Sequence, residues 1–494
     1  LIFKSLIMLL LWLIVIPIIG GVLCWQCERI SNILSHIIAI ITLLVEVLLF
    51  ILIYQECQNT ICANNTPWLL TYNIPWITTI GINFVLAIDN LTIVMLLLTI
   101  LLGLISILCI SVNDYSNIGL FYFNILIIIS STIGMFLSIN MFLFLCFWEI
   151  VNIPIYFLTI NFGYNQPINK TLCLKAATKF FIYSQISSLC ILSVIVVLAN
   201  TYHTNYDIWS FNYQDLVSLN LNKYTEYLLM LILFVAFAIK IPIVPLHNWY
   251  VDMQTYAPAN GAMDLNGFLL KIAIYGIIRF CIPFFPISSN KFILIISIIG
   301  ISNILYGAIM AFSQTDIKRV ISYMNISHMG LLLIAVYNIY DTAYFGIIIF
   351  ILSHSISAAG LIIMTGYFHK YLGTRNINNI GGLWDNMGIV PALLIILIIS
   401  IFGLPGTGNF IGEFIILLAN FNINPTLTII TIISLLLLIV PSLKIIQLIC
   451  YGEYKLTNSV TFSVTKKDQL TLLLPVVIVL LLGLYPQLIL NILF

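Results

Sequence analysis

The sequence predicts an all-α polytopic membrane protein of about 14 transmembrane helices, and three observations carry that class. Of the 494 residues, 62% are hydrophobic and 7% charged, whereas soluble domains carry about 25% charged residues. Apolar runs of about 20 residues recur from end to end, each long enough to cross roughly 30 Å of hydrocarbon. The polar stretches between them are short and leave no room for a soluble domain.

In order, the runs centre near residues 14, 44, 97, 129, 151, 188, 236, 270, 302, 328, 356, 405, 438 and 482. The first, LIMLLLWLIVIPIIGGVLC, lacks a small-residue cleavage pattern and exceeds the apolar core of a signal peptide, so it reads as a retained helix. Cys24 and Cys27 form a lone C-x-x-C in the first loop, and Cys57 and Cys62 lie in the second. With no second pair or Cys/His set nearby, these make no zinc or redox site, and the cysteines read as small core hydrophobes. Glu46 and Asp89 both sit in apolar runs with no evident partner.

Later runs carry ionisable residues at membrane depth. FLFLCFWEIVNIPIYF places Glu149 mid-span, AFAIKIPIVP places Lys240, and GAMDLNGFLLKIAIYG holds Asp264 and Lys271. NISHMGLLLIA contributes His328, FILSHSISAAG His354, and PGTGNFIGEFIILL Glu413. Each such residue costs about 2.5–3.5 kcal/mol on insertion scales, so the set reads as functional. Pro242, Pro245 and Pro405 break two of these helices and free backbone carbonyls that only a hydrated interior can satisfy. Repeated transporter halves carry such interrupted helices at matching positions. The chain accordingly divides into N-terminal helices 1–3 (1–115), a first five-helix repeat (116–285), an inverted second repeat (286–460) and a final helix (461–494), together one membrane domain.

Two carboxylates, two lysines and two histidines over six spans form a proton relay better than a set of struts. A buried lysine gains or loses its proton as a carboxylate approaches or withdraws, and Glu149 is the candidate for Lys240. Histidine passes a proton through its two nitrogens, which suits His328 and His354. His247 lies beyond the prolines and either joins the relay or anchors its loop. Lys318, Arg319, Lys466 and Lys467 read as solvated loop residues, and Lys179 as a snorkelling side chain.

A net charge of +1 excludes a nucleic-acid partner. Of 18 basic residues, most fall in odd-numbered loops, among them Arg29, Lys170, Lys318, Lys370, Arg375, Lys455 and Lys466, while Lys4, Lys223, Arg279 and Lys291 do not. Both termini therefore belong on the opposite side of the membrane from those loops. GTGNFIG lacks dinucleotide-binding spacing and follows no strand, and no haem or iron-sulfur cysteine run occurs, so the chain holds no redox centre of its own.

FWEIVNIPIYF, AFAIKIPIVPLHNWYVDMQTYAPANGAMDLNGFLLKIAIYGIIRF, DIKRVISYMNISHMG, TRNINNIGGLW and FGLPGTGNFIGEF together resemble the antiporter-like subunits of NADH:ubiquinone oxidoreductase, respiratory complex I. Glu413 at the second break points to the subunit 4 branch, since the subunit 2 and subunit 5 branches carry lysine there. The chain also ends without the lateral helix of subunit 5. The resemblance implies that Glu149 and Lys240 form a modulating pair, that Lys271 is the central station and Glu413 the terminal one, and that His328 and His354 connect them. Asp264 and Asn260 depart from the family pattern, and Asp264 would add a partner for Lys271.

The implied function is proton translocation as a subunit of an NADH:ubiquinone reductase, with NADH, FMN, iron-sulfur clusters and ubiquinone bound by other subunits and no cofactor bound by this chain. The implied partners are subunit 2-like and subunit 5-like homologues and membrane lipid. A cation/proton antiporter subunit is the alternative. Heavy use of Ile, Phe, Tyr and Asn and an opening Leu1 suggest an organellar genome with a non-standard start, or a trimmed chain. The expected location is the mitochondrial inner membrane with both termini on the intermembrane-space side, or else the bacterial plasma membrane.

Overall fold

The computed structural model describes residues 8–61, 68–111, 114–115, 117–164, 169–259, 265–338, 341–453 and 464–493. Leu1, Lys4, Cys62, Asn260, Asp264 and Lys455, named above, lie outside them. Twelve described helices are long and apolar enough to cross a membrane. The two remaining expected spans, centred near 236 and 405, are the ones that proline interrupts.

The chain divides into two compact units. The first comprises Leu1–Phe162, Ala177–Lys240 and Tyr275–Lys291. It contains α1 (Leu9–Cys27), α2 (Asn32–Ile61), α3 (Asn90–Leu108), α4 (Ile118–Leu137) and α5 (Met141–Phe162). It also holds most of α6 (Lys170–Tyr206) and all of α7 (Lys223–Lys240). α1 packs mainly against α4 and α2, and α4 against α5.

One element departs from the all-helical expectation. Leu70–Ile77 (β1) and Ile82–Ile88 (β2) pair antiparallel, from Leu70 opposite Ile88 to Pro75 opposite Asn83, with an irregularity before Ile77 opposite Ile82. Isoleucine, threonine and tyrosine favour a pleated strand, and Pro75 disfavours a helix through β1. Asp89 closes the hairpin by capping α3: its side chain accepts from the Thr92 N–H at 2.9 Å. Asp89 is also ion-paired to Arg279, so it has the partner that the sequence did not reveal.

The second unit comprises Gly163–Ala176, Ile241–Ile274 and Phe292–Phe494. Its helices include α8 (Asn248–Tyr256), the start of α9 (Gly267–Phe284) and most of α10 (Pro286–Ser313). They continue with α11 (Ile317–Tyr337), α12 (Asp341–Leu372), α13 (Val390–Ile401), α14 (Gly408–Ile423), α15 (Pro425–Cys450) and α16 (Lys466–Leu484). α12 is central and packs against α11, α13, α14 and α16. Every residue of α11 except Arg319 is buried, which explains why a helix carrying Lys318, Asn325 and His328 can lie at membrane depth at all.

Both breaks occur where proline placed them. α7 stops at Lys240, two residues before Pro242, and the chain resumes helix at Asn248. The backbone freed there is satisfied by a side chain: the Val244 N–H donates to Asn303 Oδ1 at 2.9 Å, while Asn303 Nδ2 donates to the Ile326 carbonyl at 2.9 Å. α13 stops at Ile401 and α14 starts at Gly408, with Gly403, Pro405 and Gly406 between. Gly403 has φ +69°, and a Cβ there would collide with the Glu413 carboxylate. Only glycine lets the break close over that acid.

Candidate functional site: two buried polar groupings

In the first unit the site is built on α5, α6 and α7. Lys240 is 3% exposed, and its Nζ donates to Asn152 Oδ1 at 2.8 Å. The ammonium also lies 4.8 Å from the centroid of the Phe180 ring and 5.3 Å from that of Trp148, within cation–π range. Glu149, one turn before Asn152 on α5, accepts from Gln185 Nε2 at 2.7 Å. Among the described residues no ion pair joins Glu149 to Lys240. The acid stands within Coulombic reach of the ammonium instead, with a neutral amide in the nearer place.

This arrangement follows from helix geometry. Positions 149 and 152 share a face of α5, since residues three apart are neighbours on a helix. A lysine opposite that face therefore meets either an amide or a carboxylate, one turn apart. Asn152 and Gln185 were missed by the sequence reading. The available signal was a polar residue at i+3 from an intramembrane acid, in WEIVN.

The second unit gathers four of the predicted residues from four helices. Lys271, fully buried on the α-helical stretch Leu270–Gly276 between two π-helical turns, lies 3.3 Å from His354 Nδ1. The rings of His354 and His328 are 4.8 Å apart at their centroids, with Phe350 beside both. His328 Nε2 is 3.5 Å from Glu413 Oε1. The order is therefore Lys271, His354, His328, Glu413, on α9, α12, α11 and α14.

The hydrogen bonds restrict which atoms can move a proton. His328 Nδ1 lies 2.9 Å from the Met324 carbonyl, which only accepts, so Nδ1 carries hydrogen. Its Nε2 is then a lone pair in the neutral ring, or an N–H facing Glu413 in the charged one. His354 Nδ1 faces the lysine, and its buried Nε2 makes no hydrogen bond. Each ring thus keeps one nitrogen free of structural duty.

A polar bed lies beside this chain. Asn409, four residues before Glu413, accepts from Ser353 Oγ at 2.6 Å and donates to Ser357 Oγ at 3.0 Å and to the Ser400 carbonyl at 2.8 Å. It ties α12, α13 and α14 together next to His354. α14 and α12 approach closely because Gly412 lies where a Cβ would come within 2.6 Å of Phe350. Sequence reading missed Asn409, although GNFIGE sets it at i−4 from the acid.

His247 is 3% exposed and packs against the Tyr306 and Tyr323 rings, with centroids 4.9 and 6.2 Å away. Its place at the start of α8 fits the anchoring alternative. Lys318 is a correction, since it is 3% exposed rather than solvated and its Nζ donates to the Ala257 carbonyl at 2.7 Å. Arg375, 5% exposed, donates to the Thr255 carbonyl at 2.9 Å and pairs with Asp316 at 3.2 Å. Two cations therefore fasten the C-terminal end of α8, where a helix presents unpaired carbonyls.

Residues 138–439 match the family described as NADH:quinone oxidoreductase/Mrp antiporter, TM. NADH-quinone oxidoreductase subunit M of Escherichia coli (strain K12) is 42% identical over 488 residues, covering 98% of this chain and 96% of the relative. The protein of the same name from Pseudomonas aeruginosa is 39% identical, with the same coverage. A chain of respiratory complex I from Thermus thermophilus superposes with TM-score 0.83 at 22% identity, over 99% of this chain and 97% of that one. A chain of the membrane-bound sulfane sulfur reductase, an archaeal respiratory membrane complex, gives 0.84 at 20%, over 98% and 96%. These two likenesses are likenesses of fold.

Proposed function

The chain belongs to the NADH:quinone oxidoreductase/Mrp antiporter family of transmembrane proteins, and from that premise we propose that it is a proton-translocating membrane subunit of an NADH-quinone oxidoreductase. The observation that carries the reading is the file Lys271, His354, His328, Glu413, in which each member can hold a proton and neighbours lie within one side-chain or one water length. An ammonium at Lys271 gives its proton to His354 Nδ1. His354 releases another from Nε2 to the lone pair on His328 Nε2, with one water or a small ring movement completing the transfer. His328, now charged, faces the Glu413 carboxylate and passes the proton on. Nδ1 of His328 stays bonded to Met324 throughout, so the ring conducts without turning over.

Glu149 and Lys240 act as the modulating pair in this reading. Supporting it is the choice Lys240 faces on α5 between Asn152 and Glu149. Held by the amide, Lys240 stands apart from the acid; swung toward Glu149, it would neutralise the acid and change the field felt by groups elsewhere in the low-dielectric interior. His247 is assigned a supporting part, fixing the start of α8. The driving chemistry, with NADH, FMN, iron-sulfur clusters and ubiquinone, belongs to other subunits, and this chain binds none of them. The subunit 2-like and subunit 5-like homologues are its neighbours in the membrane arm.

The relatives named above are bacterial, which supports the plasma membrane over the mitochondrial inner membrane as its location. The family description also covers Mrp antiporters, but relatives at about 40% identity over the full length bear the oxidoreductase name. The test is Lys271→Met in the assembled complex. Turnover and proton pumping should both fall about tenfold or more with normal assembly. Unchanged pumping would refute the file.

A further inference from the structure

Three neutral polar side chains lie buried where α8 packs on α11, both in the second unit, and the relay uses none of them. Tyr250 stands on α8, and its Oη accepts from Asn325 Nδ2 of α11 at 3.1 Å. Gln254, one turn further along α8, bonds the same hydroxyl. Asn325 Oδ1 has no hydrogen-bond partner among the described residues. As a strut this amide is a poor choice, because a half-satisfied buried polar group costs stability that a leucine of the same size would recover. What it does instead follows from its place on the helix.

Asn325 precedes His328 by three positions, so the two are neighbours on one face of α11. The peptide unit that joins Met324 to Asn325 carries both attachments: its carbonyl holds His328 Nδ1 at 2.9 Å, and the residue on its nitrogen side is tied by Tyr250. At the other edge of the ring, Nε2 lies 3.5 Å from Glu413 Oε1. An N–H···O bond spans about 2.7–3.2 Å, so a displacement of α11 by roughly a few tenths of an ångström makes or breaks that contact. α8 is placed to impose one. It has nine residues and follows the break at Pro242 and Pro245, so small backbone changes at that hinge shift it as one body. Of the bonds that join α8 to α11 directly, Lys318 to Ala257 lies ten residues before His328, about 15 Å along the axis. Tyr250 acts within one turn of the ring.

We propose that Tyr250 and Asn325 are positioning residues for His328: their bond transmits the place of α8 to the 324–325 peptide and so sets whether His328 Nε2 meets the Glu413 carboxylate. The inference rests on the relay reading above. Neither residue exchanges a proton. A shift of α8 that draws Asn325 with it closes or widens the gap to Glu413, so delivery of a proton to the acid answers to the position of the half-helix after the first break.

The experiment uses the assembled complex carrying Asn325→Leu, Tyr250→Phe, both together, and Lys271→Met as the control for the relay. Asn325→Leu removes an oxygen that lacks a partner and leaves the Tyr250 hydroxyl to Gln254, so thermal stability should equal or exceed that of the wild type. Tyr250→Phe strands the Asn325 amide and should lower stability. The proposal expects these two variants to differ in stability yet agree in function. Each lowers turnover and pumping per assembled complex about tenfold with the KM for quinone unchanged, and the double variant falls no lower than either single one, since the same bond is lost once. A map of the Asn325→Leu complex should show His328 Nε2 displaced relative to Glu413. Function that follows stability, with Asn325→Leu at wild-type rates while Lys271→Met is impaired, would make the pair a strut and overturn the positioning role alone. Losses that multiply in the double variant, or an unmoved His328, would overturn it as well. Wild-type pumping in Lys271→Met would overturn the relay and the proposal with it.

Discussion

His328 spends its Nδ1 hydrogen on the Met324 carbonyl, and that bond fixes the ring edge turned to Glu413. The same economy of atoms recurs at Lys240, whose ammonium has one amide oxygen and two ring faces for company. Replacing Asn152 by leucine removes the only neutral acceptor described for Lys240, a charge-assisted bond of about 1.5–3 kcal/mol. We expect Asn152→Leu to lower the thermal stability of the solubilised complex by that order, and Asn152→Asp to retain it. Equal stability of wild type and the leucine variant would show that the amide is dispensable. Gly403→Ala places a methyl against the Glu413 carboxylate in a left-handed conformation. It should cost about 1–3 kcal/mol, read as reduced assembly, and an alanine variant with normal yield and activity would contradict the close approach.

At the scale of elements, the two broken helices were legible because proline acts there in company: Pro242 and Pro245 stand three residues apart and Pro405 lies between Gly403 and Gly406, whereas the single Pro17, Pro154 and Pro475 stay inside continuous helices. What satisfied the breaks was not legible, since Asn303 reaches Val244 across 59 residues of sequence. Asn303→Leu should leave that N–H unpaired at a cost of about 1–3 kcal/mol, seen as earlier thermal inactivation of the complex. An unchanged midpoint would mean that the backbone finds another partner. The β1–β2 hairpin escaped the sequence reading because a seven-residue apolar strand next to a long apolar helix blurs into one hydrophobic run. Asp89 marks the true boundary, and Asp89→Ala should cost about 0.5–2 kcal/mol for the cap alone and more for the Arg279 left unpaired. A hairpin and helix of undiminished stability in that variant would refute the capping role.

Across the whole molecule, hydrophobicity announced the membrane, and the scarcity of charge made each buried ionisable residue conspicuous. The resemblance implied Lys271 at the centre and Glu413 at the end, but residue identity could not order His328 and His354 between them, because that depends on which faces of α9, α11, α12 and α14 meet. It also misjudged Lys318, whose neighbours in sequence are those of a loop while its neighbours in space are the last carbonyls of α8. Neutral polar residues escaped notice altogether: Asn152, Gln185, Asn303 and Asn409 carry no charge to betray them, yet each holds a charged group, a break or a neighbouring helix in place. Within the file of the second unit, His354 stands between lysine and histidine. The most direct test is the proton-to-electron ratio and turnover of the assembled complex carrying His354→Leu. Proton transfer along the file requires normal assembly with both quantities sharply reduced, and an assembled variant that turns over and pumps like the wild type would rule it out.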